Sequence, residues 1–133
     1  MVRSRVLAFL LDVTSVLVFV ALGRRTHDAG NGMLGYLEVA APFVLALVVA
    51  WLAVLLSRRN PRTLVTGAVV AALTWLLGLL LRATVFDGGT ATAFVIVAGL
   101  FLFATMLGWR VVAVVVRRHR STRDKEANEV RSV

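Results

Sequence analysis

Four apolar runs set the pattern of this chain: Val6 to Gly23, Val39 to Ser57, Leu64 to Leu81 and Gly88 to Val116. Each is at least 18 residues long, and a helix of about 20 residues crosses the ~30 Å hydrocarbon core of a bilayer. Backbone N–H and C=O groups in lipid must bond within their own segment, so the runs are predicted to be helices despite their many β-branched valines. The fourth run is long enough to tilt or to leave the membrane. Only Asp12 interrupts the first run and only Arg110 the fourth, while Pro42 lies near the start of the second.

The connections are short and carry turn chemistry. Arg24–Glu38 contains Gly30, Asn31, Gly32 and Gly35, Arg58–Thr63 contains Asn60-Pro61, and Arg82–Gly89 ends in Asp87-Gly88-Gly89. Short connections favour antiparallel neighbours. The expected fold is therefore all-α, an integral membrane four-helix bundle over residues 1–116. Residues 117–133 form a basic tail expected to be disordered or interfacial.

Composition agrees with a membrane domain. The chain of 133 residues is 59% hydrophobic with a mean hydropathy of +0.87, whereas soluble domains run about 45–50% apolar. There is no cysteine, which excludes disulfides, thiolate nucleophiles and Cys-ligated zinc. A net charge of +8 would suggest nucleic acid in a soluble protein, but here the cations flank apolar runs. Eleven Lys and Arg lie on one side: Arg3, Arg5, Arg58, Arg59, Arg62 and six in the tail. Three, Arg24, Arg25 and Arg82, lie on the other. The positive-inside rule then places both termini in the cytoplasm. A small-residue Ala21-Leu22-Gly23 site resembles a signal-peptide cleavage motif, but Asp12 and the length of the run favour a retained helix.

The two interrupting charges carry the sharpest expectation. Asp12 is six residues in from Val6 and Arg110 six residues in from Val116, so both lie roughly 9 Å below the same surface. Trp51 is six residues from Ser57, and Trp109 adjoins Arg110. A polar and aromatic layer of Asp12, Ser15, Trp51, Trp109 and Arg110 is expected. Either it staples the helices or it responds to protons or ions; stapling is preferred because intramembrane charges usually pair. Arg110 could instead snorkel to the headgroups, which Asp12 is too short to do.

A second cluster follows helices 1 and 3. Arg24, Arg25, His27 and Arg82 form a candidate outer anion site for a phosphate or carboxylate, with Glu38 as a competing partner for Arg82. Arg24-Arg25-Thr26-His27-Asp28-Ala29-Gly30 and Arg82-Ala83-Thr84-Val85-Phe86-Asp87-Gly88-Gly89 share an Arg-x-Thr and Asp-x-Gly pattern. Duplication of a helical hairpin would leave such a parallel repeat. His27 beside Asp28 is a weak acid–base pair, and His119 falls on the opposite side, so the two histidines cannot share a metal. No phosphate loop or nucleophile elbow appears, and no cofactor is expected. Ala46-xxx-Ala50, Gly67-xxx-Ala71, Thr74-xxx-Gly78 and Ala104-xxx-Gly108 offer close-packing faces.

Leu11-Asp12-Val13-Thr14 through Gly23-Arg24-Arg25-Thr26-His27, with Gly108-Trp109-Arg110, resembles an uncharacterised family of small four-span bacterial membrane proteins, domain of unknown function 3054. The resemblance covers most of the chain except the tail. It implies a bacterial cytoplasmic membrane and adds weight to Asp12, Arg24, Arg25, His27, Trp109 and Arg110, but implies no activity.

The function expected from these readings is non-enzymatic: an accessory or self-assembling component of a membrane complex. The alternative is an oligomeric transporter or channel for a small anion, proton-coupled through Asp12. Lipid-headgroup chemistry at the outer cluster ranks third. Expected partners are the bilayer, copies of the chain or a larger complex, and anionic lipid at the tail; nucleic acid is not among them.

Overall fold

A computed structural model describes residues 2–25 and 32–132, the side chains of Arg24 and Arg25 excepted. Among these residues the fold is all-α, with α1 Val2–Arg25, α2 Gly32–Leu56, α3 Leu64–Thr84 and α4 Thr92–Arg131. All four helices are long and apolar enough to cross a membrane.

The helices form a closed ring. α1 packs on α2 and α4, α3 packs on α2 and α4, and the diagonal backbones stay apart, α2 and α4 meeting only through side chains such as Phe43 and Phe94, 6.1 Å between centroids. The contact between α2 and α3 is the most extensive, and those of α1 are the thinnest. Arg3, Arg5, Arg58, Arg59 and Arg62 gather at one end, called the basic end below; α4 continues through it.

Lipid tails are as apolar as leucine, so burial in a membrane sorts residues by shape rather than by hydrophobicity. The interior follows that rule. Ala8, Ala40, Ala46, Ala50, Ala71 and Ala98 are buried, and Gly67, Gly78 and Gly99 let larger side chains approach the backbone. Leu10, Leu52, Leu76, Ile96 and Leu100 point outward. On α1 the buried set Ala8, Asp12, Ser15, Val16, Phe19 and Val20 repeats at the helical spacing of four, three and one.

Two boundaries differ most from expectation. α2 begins at Gly32, not Val39, so Gly35 and Glu38 are helical and Pro42 lies well inside a helix that continues through it. Pro42 is buried, and its missing N–H leaves only the Glu38 carbonyl without an intrahelical donor. The tail is the larger correction. Of the two expectations for the tail, disordered or interfacial, the first does not hold: α4 runs unbroken to Arg131, 40 residues or about 60 Å. Nothing after Gly108 breaks the helix: there is no proline or glycine, and Arg, Lys, Glu and Ala are good helix formers. Opposite charges also recur four apart, as at Arg120 and Asp124 or Lys125 and Glu129.

The Asn60-Pro61 turn is built as its residues suggest. Arg59 N–H donates to Val54 O and Arg58 N–H to Leu55 O, the bond pattern of a Schellman cap with Arg58 at φ 52°. Asn60 Oδ1 accepts from Arg62 N–H, and Thr63 caps α3 by accepting from Thr66 N–H at 3.2 Å. This fixed turn brings Pro61 beneath α4.

Candidate functional site

The intramembrane charges meet. Arg110 donates to Asp12 through both terminal nitrogens, Nη1 to Oδ1 and Nη2 to Oδ2, each at 2.8 Å. Both side chains have zero exposure. Such a parallel fork is the strongest geometry available to these groups. It is the only ion pair among the described residues.

The rest of the layer completes the pair. Trp51 Nε1 donates to Asp12 Oδ2 at 3.1 Å and Trp109 Nε1 to Oδ1 at 2.9 Å. A carboxylate offers about four lone-pair sites, and Asp12 fills them with two guanidinium and two indole donors. Arg110 also donates from Nε to Pro61 O at 3.0 Å and from Nη1 to Met106 O at 2.7 Å. Its guanidinium stacks over the Trp109 ring, 4.2 Å from the centroid. Four of its five N–H groups are thereby engaged.

Each helix contributes for a local reason. α1 carries the acid on its buried stripe, one turn beyond Ala8. α2 supplies Trp51 beside small Ala50, and Phe9 meets Trp51 edge-on, with centroids 5.4 Å apart. α4 supplies Met106, Trp109 and Arg110. α3 contributes the absence of a side chain: a Cβ on Gly67 would stand 2.5 Å from Arg110 Cδ, closer than such atoms come. The arginine thus lies flat on the α3 backbone. Taking two charges out of water costs several kcal/mol per ion. Six hydrogen bonds, two of them joining full charges, offset that cost here.

The layer differs in part from the sequence reading. Ser15 turns back to its own helix, donating to Leu11 O at 2.9 Å, and takes no part. Arg110 does not snorkel; its head is held inward by Asp12 and by the turn carbonyl. Pro61 O, Met106 O and Gly67 were not legible as partners. A backbone carbonyl has no sequence signal, and Gly67 reads only as one small residue in a small-xxx-small pair.

The outer cluster is only partly described. His27 and Asp28 lie outside the described residues, as do the side chains of Arg24 and Arg25, and with them the first copy of the suggested repeat. Arg82 is engaged locally. Its Nε donates to Gly89 O at 2.9 Å, and its guanidinium lies 5.0 Å from the Phe94 ring centroid. Among the described residues it forms no ion pair with Glu38. No three His, Asp or Glu side chains among these residues gather into a metal-binding group.

Toward the far end the interior is aromatic. Phe19 contacts Phe43, Phe94 and Phe101 at 5.6, 5.8 and 5.7 Å between centroids, and Phe43 rests on Gly78. Beside them, Trp75 fills the space above Gly99 and donates to Val95 O at 2.9 Å. Between the two layers Thr74 is buried with its hydroxyl unpartnered.

A family model described as "Protein of unknown function (DUF3054)" matches residues 9–113. The chain belongs to that family. The matched segment contains Asp12, Trp51, Pro61, Gly67, Trp109 and Arg110 and ends before the basic tail. Neither the curated proteins nor the solved structures contain a match. Membership and the four apolar helices together describe a multi-pass membrane protein.

Proposed function

We propose that this DUF3054 protein is a non-enzymatic component of a bacterial cytoplasmic membrane, with both termini inside. It acts by assembling with partners or with copies of itself. The Asp12–Arg110 pair is then a permanent staple that fixes the four helices as one rigid unit. The observation that carries this reading is the saturation of Asp12: four donors occupy its oxygens, and none of its surface is exposed. A group committed to this degree has no direction left for a substrate or a water. The orientation rests on the eleven-to-three distribution of cations.

Self-assembly has a candidate face of its own. Ala104 is exposed, and a Cβ on Gly108 would meet nothing within 4 Å, so this small-xxx-small pair on α4 is not used inside the molecule. The transporter reading would require the Asp12 lock to open during the cycle, and no described feature favours it. The helical-hairpin repeat remains a proposal about origin, supported by the Arg-x-Thr and Asp-x-Gly pattern.

Gentle extraction followed by size determination tests the reading. A stable oligomer or a co-purifying partner is expected, and a bare monomer would count against it. Proteoliposome ion or anion flux that disappears in Asp12→Asn, while the variant keeps its fold, would replace the staple with transport.

A further inference from the structure

Between the side chains of α1 and α2, near the basic end, lies an open groove of about 310 Å³. Phe9 on α1, and Val48, Trp51, Leu52 and Leu55 on α2, line it. The α2 residues recur at the spacing of one helix face and cover about 10 Å along the axis. Arg5 is the one charged residue among those that line the groove, and it contributes only its aliphatic stem, because the surface of the groove is wholly apolar. Arg5 is exposed, and no hydrogen bond or ion pair engages it among the described residues. Arg58 and Arg59 follow the end of α2, three and four residues beyond Leu55. The groove itself is apolar throughout and runs toward the middle of the spans, and the exposed Arg5 stands at its basic end.

We infer that this groove binds one anionic glycerophospholipid, an acyl chain lying between α1 and α2 and the headgroup phosphate on Arg5. The inference rests on the membrane placement of the helices. Charge and shape both select this occupant. A lipid is apolar along the chain and negative at the head, which matches an apolar groove with Arg5 at its basic end. A second copy of the chain fits less well, because an apolar helix laid across the groove would bury Arg5 without a partner. The site also touches the staple: Trp51, on the groove wall, donates to Asp12. A seated acyl chain would hold that indole from the lipid side.

The test is native mass spectrometry of the full-length protein in neutral detergent. It is titrated with phosphatidylglycerol or phosphatidylcholine of identical acyl chains. Retention in carbonate-washed membranes is measured first and reports membrane placement separately. The wild type should hold one phosphatidylglycerol about five-fold more tightly than phosphatidylcholine, the contribution of one arginine near a lipid surface. Arg5→Gln should bring the two lipids to parity, and Arg131→Gln in the tail should leave the preference intact. Val48→Trp should fill the groove and abolish the first retained lipid of either kind, with Leu52→Phe as the milder variant should Val48→Trp fail to fold. A preference that survives Arg5→Gln, or a first lipid that survives filling of the groove, overturns the proposal. So does a wild-type dimer that Val48→Trp dissociates, which would make the groove a self-docking face.

Discussion

Asp12 and Phe19 sit two turns apart on α1, both buried, yet their surroundings differ in kind. Around Asp12 every contact is directional: two indole N–H groups and a forked guanidinium meet two oxygens. Around Phe19 three phenyl rings pack at tilted and edge angles, with no polar atom between them. The difference shows how a small membrane fold obtains one structure from helices that are apolar on every side. Phenyl rings fill space and tolerate small slides. A carboxylate that must meet four donors tolerates none. The aromatic layer supplies packing, and the polar layer sets the register of one helix against the next.

The largest effect should come from breaking the polar layer on one side only. Asp12→Ala leaves Arg110 buried without its counterion and should cost about 3–5 kcal/mol, read by denaturant unfolding in detergent or as loss of folded yield. The double variant Asp12→Leu with Arg110→Met removes both charges and should recover most of that loss. A double variant as unstable as the single would mean that the layer contributes more than pairing.

Gly67→Ala presses a methyl group into Arg110 and should cost about 1–3 kcal/mol. Gly108→Ala, which meets nothing within the molecule, should not destabilise the monomer in the same assay. Equal behaviour of the two glycines would show that Arg110 can leave its seat freely. In the aromatic layer, Phe43→Leu should cost less than about 1.5 kcal/mol, since leucine stays apolar and the neighbouring rings can close over the space it frees. A loss as large as that of Asp12→Ala would erase the contrast between the layers.

The smallest change is predicted between them. Thr74→Val keeps the volume and removes a buried hydroxyl that has no partner. It should be neutral or stabilise by up to about 1 kcal/mol, seen as a small rise in Tm. Destabilisation would reveal a bond to the Thr74 hydroxyl that forms in the membrane.

Much of the site was visible before any fold. A charge within an apolar run is conspicuous, and counting residues from the ends of the apolar runs puts Asp12, Trp51 and Arg110 at one depth. Depth comes from helix rise alone, so it survives ignorance of packing. What faces what does not. Ser15 lies on the same buried stripe as Asp12, yet it bonds to its own helix, because a serine hydroxyl reaches the carbonyl four residues back more readily than a neighbouring helix. The tail's charge alone does not distinguish a disordered or interfacial segment from a solvated helix, and the structure has the helix. The tail residues are good helix formers on a helix already nucleated, so extending α4 costs little.

By itself the sequence determined four apolar helices, the depth of two opposite charges within them and the side on which the cations gather. These follow from run length, helix rise and the cost of charge in hydrocarbon, none of which needs a tertiary contact. Only the tertiary structure decided that Arg110 lies on Gly67, that the Pro61 carbonyl closes over it and that the side chains of α1 and α2 leave a groove with Arg5 at its basic end. Those outcomes depend on how helices with apolar surfaces on all sides rotate about their axes. That rotation is set by the fit of small residues against large ones and by the few buried bonds that must all be made at once.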